Sequence, residues 1–219
     1  MGINPFYIFE AFAMFVFIPV IYGMIRFRTF SLDLRIFYVY LFLVMLEWSV
    51  ATIYAFMGKN NHFLLNIFLM IELALPLWVF SLWQKNARIQ FIIRITIIVF
   101  VFILIAEIFV LNDINNFTKY SGPLENVILI IVSALTLYEI NKNTEVILTD
   151  QPRFWISSGI LLYSSGALVL TNLSQWLLRN NPDLLRNALI IESAASSVAY
   201  IFYFMGFRCH YKMQKSGGS

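Results

Sequence analysis

Seven long apolar runs divide this chain, at residues 5–25, 36–57, 62–83, 89–111, 123–141, 154–178 and 187–207. A helix needs roughly 20 mostly apolar residues to cross a bilayer, and each run has about that length. Strands of a membrane barrel are only about 10 residues long and alternate apolar with polar positions. The runs here are continuous, so the pattern predicts an all-α polytopic integral membrane protein, a seven-transmembrane-helix bundle. The connections between runs are too short to hold a further domain. The reading is therefore one seven-helix membrane domain over 1–211, followed by a flexible tail over 212–219.

Local signals mark the helix ends. Pro5 and Pro123 stand in first turns, where a missing N–H costs little. Asn112-Asp113, Ser121-Gly122 and Asn180-Asn181-Pro182 read as turns. The first run is expected to stay as helix 1 rather than leave as a signal peptide, because Met1 to Asn4 carry no basic residue and no clear A-x-A site follows.

Composition sharpens the class. Hydrophobic residues are 60% and charged residues 12% of the chain, whereas soluble domains carry about 25% charge. A water-soluble globule and a disordered chain are both excluded. Cys209 is the sole cysteine, so no intrachain disulfide and no cysteine-based metal site can form. The net charge of +3 does not indicate nucleic acid, because the basic residues sit in short connections, where they set orientation. One side holds Arg26, Arg28, Arg35, Lys85, Arg88, Lys142, Arg153, Arg208, Lys212 and Lys215; the other holds Lys59, Lys119, Arg179 and Arg186. Ten against four places the N-terminus outside and the C-terminus in the cytoplasm. Trp83, Trp155 and Trp176 fall near the expected interfaces. The expected location is the cell inner membrane, multi-pass.

The candidate chemistry is acidic. Glu10, Glu47, Glu72, Glu107 and Glu192 lie one per helix within the runs, with Glu125 at the outer mouth of helix 5. A central charge costs about 2.5–3.5 kcal/mol on insertion scales, so such groups face an interior, pair, or hold a proton. With a 1.5 Å rise, Glu10, Glu72 and Glu192 lie roughly 8, 15 and 8 Å from the outer end. Glu107 falls in the outer third and Glu47 near mid-membrane, while Arg94 lies near the inner end. The carboxyls thus gather in the outer half. They act either as polar glue between helices or as the wall of an outward-facing pocket.

Other polar positions extend this wall. Tyr40, Glu47 and Tyr54 recur every seven residues and share one face of helix 2. Helix 6 carries Ser157, Ser164, Thr171 and, beside them, Ser158, Ser165, Asn172, with Gln175 beyond. Helix 7 carries Glu192, Ser196, Tyr200 and Tyr203 on one face. Small residues let membrane helices approach, so packing explains most of the helix 6 serines. Asn172, Gln175 and Tyr200 are better ligand contacts. Pro76 follows Glu72 by one turn and is expected to kink helix 3. The predicted ligand-binding residues are Glu47, Glu72, Glu107, Glu192, Tyr40, Tyr54, Asn172 and Tyr200.

Catalysis has no positive signal. No lysine stands inside a run for a retinal Schiff base, neither G-x-S-x-G nor a phosphate-cradling glycine loop occurs, and the two histidines, His62 and His210, are far apart. No catalytic residue, metal or cofactor is expected, and the chain reads as a non-enzyme.

The stretch Phe154-Trp155-Ile156-Ser157-Ser158-Gly159-Ile160-Leu161-Leu162-Tyr163-Ser164-Ser165-Gly166 is distinctive. So is its setting: His62-Phe63-Leu64-Leu65-Asn66 opens helix 3, a short turn spans 84–88, and helix 7 ends in Gly206-Phe207. In these residues the chain resembles a poorly characterised family of small bacterial seven-helix membrane proteins associated with sensor histidine kinases. The resemblance implies a sensory or signalling role and carries over no site residues. The leading expectation is a sensor or receptor-like protein that binds a small-molecule ligand, or senses protons or the envelope, through an outward-facing polar pocket. It would signal to a sensor histidine kinase or other cytoplasmic signalling protein through the 26–35, 84–88 and 142–153 connections. A proton-coupled or small-solute transporter is the alternative, and a structural membrane partner without a ligand is a further one.

Overall fold

A computed structural model of the 219-residue chain describes residues 11–111, 118–142, 147–180 and 182–216. Among these the protein is all-helical, and seven helices are long and apolar enough to cross a membrane. The α-helices are α1 (Phe17–Arg26), α2 (Leu32–Phe56), α3 (His62–Trp83), α4 (Ala87–Ala106), α5 (Ser121–Asn141), α6 (Pro152–Asn180) and α7 (Pro182–Ser216), and α1 reaches membrane-crossing length only with the helical turns on either side, over Ala11–Thr29. A 3-10 turn, Met14–Val16, leads into α1, and α4 continues as a π-helical turn, Glu107–Leu111. The part of the first apolar run before residue 11, Glu10 included, lies outside the described residues.

The helix ends follow from local chemistry. α2 closes in a Schellman motif: Gly58 stands at φ 63°, its N–H bonds to the Ala55 carbonyl at 3.0 Å, and the Lys59 N–H bonds to the Tyr54 carbonyl at 3.0 Å. The Asn60 side chain then accepts the His62 N–H at 2.8 Å as α3 begins. Asn86 caps α4 by accepting the Arg88 N–H at 2.9 Å. Pro152 and Pro182 open α6 and α7 as their first residues, where the proline nitrogen has no intrahelical partner to lose.

Several boundaries differ from the hydrophobic pattern. α2 starts at Leu32 rather than 36, because Ser31 is extended and Asp33 fits a helix's positive first turn. α7 runs to Ser216, so residues 212–216, expected as tail, are helical. A helix does not end where its apolar run ends when Arg208, His210, Tyr211, Lys212 and Gln214 allow it to continue in polar surroundings.

The chain divides into two compact units. Ser31–Val132 forms the continuous one, in which α2 packs on α3 and α3 on α4. Its antiparallel pairing is tied at one end. The Trp83 indole donates to Asp33 Oδ2 at 2.6 Å, linking the end of α3 to the start of α2. The Gln90 amide donates to the Ser81 carbonyl at 3.1 Å, linking α4 to α3. Leu34, Phe37, Leu41, Leu73, Leu77, Phe80, Phe100 and Leu104 are among its buried apolar side chains.

The other unit joins Met1–Phe30 to Ser133–Ser219. Here α6 packs along α7, and α1 packs on α7. The approach of α6 to α7 depends on glycine. A Cβ on Gly159 would meet Tyr203 Cε1 at 2.5 Å and the Ala199 carbonyl oxygen at 3.2 Å. Ser197 donates to the Phe12 carbonyl at 3.0 Å, fastening the chain before α1 to α7. At the far end, Phe30 stacks on Phe207 with centroids 4.7 Å apart, and Gln214 donates to the Thr29 carbonyl at 2.6 Å.

Candidate functional site

The continuous unit holds Glu47, Glu72, Glu107 and Glu125. Glu47 on α2 and Glu72 on α3 are near enough for their charges to act on one another, and so are Glu72 and Glu125 of α5. All three approach from one end of the unit. Glu47 is nine residues before the end of α2, Glu72 ten after the start of α3, and Glu125 four after the start of α5. At 1.5 Å per residue these depths are roughly 14, 15 and 6 Å. Glu125 is 2% exposed. Its Oε1 and the Oε1 of Glu47 are buried without a hydrogen-bond partner. An unmet buried carboxyl oxygen is costly, and such groups ask for an explanation.

Pro76 lies inside α3, and its ring supplies no N–H to the carbonyl of Glu72 four residues back. The α3 backbone is therefore weakened at the level of the carboxyls. Two predicted tyrosines flank this region along α2. Tyr40 is buried with its ring 5.5 Å from Phe37, and Tyr54 is half-buried, edge-on to Phe63 at 5.8 Å.

Glu107 has a different occupation. Its carboxylate accepts the backbone N–H groups of Lys119, Tyr120 (2.8 Å) and Ser121 (2.7 Å), and the Ser121 hydroxyl. These are the donors that a helix start leaves unsatisfied, and a negative charge there is favoured by the helix dipole. Glu107 thus caps α5 from the end of α4. The expectation that it lines a pocket wall gives way to this use, because its oxygens are already engaged.

Arg94, the basic residue within the runs, also has a local role. Its guanidinium lies 5.2 Å from the centre of the Trp78 ring, and Nε is 3.5 Å from Ser81 Oγ.

The remaining predicted residues belong to the other unit. Asn172 is exposed and donates to the Leu168 carbonyl of its own helix at 2.8 Å. Its stripe partner Ser165 is likewise exposed and bonded to Leu161 at 2.7 Å, so this stripe faces outward. The parallel serines, Ser157 and Ser164, are fully buried, as close helix packing requires. Glu192 and Tyr200 are half-buried on α7, with Tyr200 edge-on to Tyr203 at 6.1 Å. The Gln175 side chain lies outside the described residues.

No family model, curated protein or solved structure matches this chain. The geometry must therefore speak for itself. Glu72 repels both Glu47 and Glu125 when they are ionised, and a proton or a cation among them relieves that repulsion. Among the described residues no group of three His, Cys, Asp or Glu is arranged to hold a metal ion. Glu125 is the member that sequence reading placed only at the mouth of helix 5. Its position two residues after Pro123, at the same end as Glu72, was the available signal.

Proposed function

We propose that this chain is a multi-pass protein of a bacterial inner membrane, with its N-terminus outside and its C-terminus in the cytoplasm. In this reading it is a non-enzymatic sensor or receptor-like protein, and its site is the cluster Glu47, Glu72 and Glu125. Insertion is supported by the exposed surface of α4 and of the π-helical turn after it, where Phe91, Ile98, Phe102 and Phe109 are 63, 57, 68 and 78% exposed. Apolar side chains displayed on this scale suit hydrocarbon rather than water. The ten-to-four distribution of basic residues supports the orientation.

The observation that carries the site is the pair of buried, unpartnered carboxyl oxygens on Glu47 and Glu125, each beside Glu72. The ligand is a proton or a small cation that donates hydrogen bonds. Its arrival changes the repulsion among three helices at the level where Pro76 weakens α3. The signal leaves through a cytoplasmic partner of the sensor histidine kinase class, in line with the resemblance carried by residues 154–166.

Difference infrared spectroscopy of the protein in lipid nanodiscs tests this directly. Stepping the pH should produce a carboxyl carbonyl band that Glu47→Gln and Glu125→Gln each diminish. A spectrum unchanged in both variants would remove the cluster as a site. Proton flux through reconstituted liposomes would turn the reading into a carrier. Against that stands the opposite end of the unit, closed by the Trp83–Asp33 bond and by Arg94 against Trp78.

A further inference from the structure

α7 carries a pattern beyond its role in packing. Ile191 and Val198 are exposed and stand seven residues apart, and Lys212 continues their row two heptads on. Ile201, Arg208 and Lys215 form an adjacent row at the same spacing, and all three are exposed. One outward face of the helix is thus apolar along its middle and cationic where it ends. Its other face holds the 26–30 turn. His210 Nε2 lies 3.3 Å from the Thr29 carbonyl oxygen, Gln214 bonds to the same oxygen, and the Arg26 guanidinium sits 4.2 Å over the Tyr211 ring. This fastening brings Arg26 and the exposed Arg28 beside Arg208, Lys212 and Lys215. Met24 and Ile25, exposed by 65 and 69%, precede them on α1. Arg153, the second residue of α6, lies at this end too, since Gly206 lies against Pro152 and Ile156. Asp150 is the acidic neighbour, near Cys209.

The geometry points to a binding site for an anionic phospholipid at this end of the protein, with headgroup phosphate on Arg208, Lys212, Lys215 and Arg26 and an acyl chain along Ile201 and Val198, which lie within one leaflet's depth of Arg208. An acidic soluble partner would touch the cations alone. The continuous change from apolar to cationic along one helix face matches an amphiphile instead. Juxtamembrane cations attract the anionic inner leaflet, and arginine and lysine are the usual phosphate donors. The inference rests on the membrane reading proposed above.

The test is native mass spectrometry of the full chain released from nanodiscs of mixed phosphatidylglycerol and phosphatidylcholine. The expected result is preferential retention of phosphatidylglycerol, weakened by salt. Lys212→Gln together with Lys215→Gln, both exposed at a helix end, should lower that preference roughly 30-fold. Lys→Arg at the same positions should keep it. Equal retention of the two lipids, or an unchanged preference in the Gln variant, would overturn the site. So would displacement of phosphatidylglycerol by inorganic phosphate at comparable concentration, which would show that the phosphate alone is read. A chain that fails to enter nanodiscs would overturn the membrane reading along with the site. An inserted chain without lipid preference would overturn the site only.

Discussion

Replacing Glu107 separates a structural carboxylate from a ligand-binding one. Its four hydrogen bonds all come from the start of α5, and two of the donors, the N–H and hydroxyl of Ser121, belong to a fully buried residue. Glu107→Ala leaves both unmet. At about 1–3 kcal/mol for each unsatisfied buried group, the loss is about 3 kcal/mol. The N–H groups of Lys119 and Tyr120 belong to exposed residues and turn to water, so they add little. Glu107→Gln keeps one acceptor oxygen and should lose about half as much, with the charge–dipole contribution included. Denaturant unfolding in detergent micelles measures both variants, and hydrogen exchange at 119–121 shows whether the start of α5 has loosened. If Glu107→Ala unfolds at the wild-type midpoint, or if the Gln variant is as damaged as the Ala variant, the capping argument fails. The carboxyl band of the Glu47–Glu72–Glu125 cluster should survive in Glu107→Gln.

Three further substitutions follow from the packing. Gly159→Ala drives a methyl into the Tyr203 ring, which is 2% exposed and has little room to move; the expected loss is about 1–3 kcal/mol in the same unfolding assay, and a neutral result would refute the close approach. Gly58→Ala meets no atom within 4 Å, so its loss of about 1–2 kcal/mol comes from backbone strain alone. Gly58→Asn should lose less, and equal losses would count against the strain argument. Trp83→Phe removes the 2.6 Å bond to Asp33 and should cost about 1–2 kcal/mol, read by loss of protection at the start of α2 in hydrogen exchange.

The seven helices were legible because hydrophobic length is a strong signal, although α6 runs to Asn180 and α7 starts at Pro182, past the expected ends at 178 and 187. Helix ends were less legible, since polar residues such as Lys212 and Gln214 extend a helix as readily as they end one. The site was only partly readable. The seven-residue spacing showed that Ser158, Ser165 and Asn172 share a face, but periodicity cannot say whether that face turns inward. The fate of Glu107 was hidden because it depends on residues 119–121 returning to the end of α4, a contact that no local pattern encodes. Glu125 was underrated because depth was counted from the end of an apolar run. The neighbouring helices, which bury it, leave no trace in its own segment.

The division of the chain also sets an order of assembly. The continuous unit can gather α2, α3 and α4 as soon as they are made. α1 is made before them, yet the hydroxyl that fastens Phe12 belongs to Ser197, 185 residues later. At synthesis rates of about 5–20 residues per second, that interval is roughly 10–40 s. On the membrane reading proposed above, α1 spends that interval without its partner, its apolar face covered by lipid or by the insertion machinery. A helix that waits so long must hold its place by its own hydrophobicity, so polar substitutions in α1 should lower yield more than they lower the stability of the finished protein.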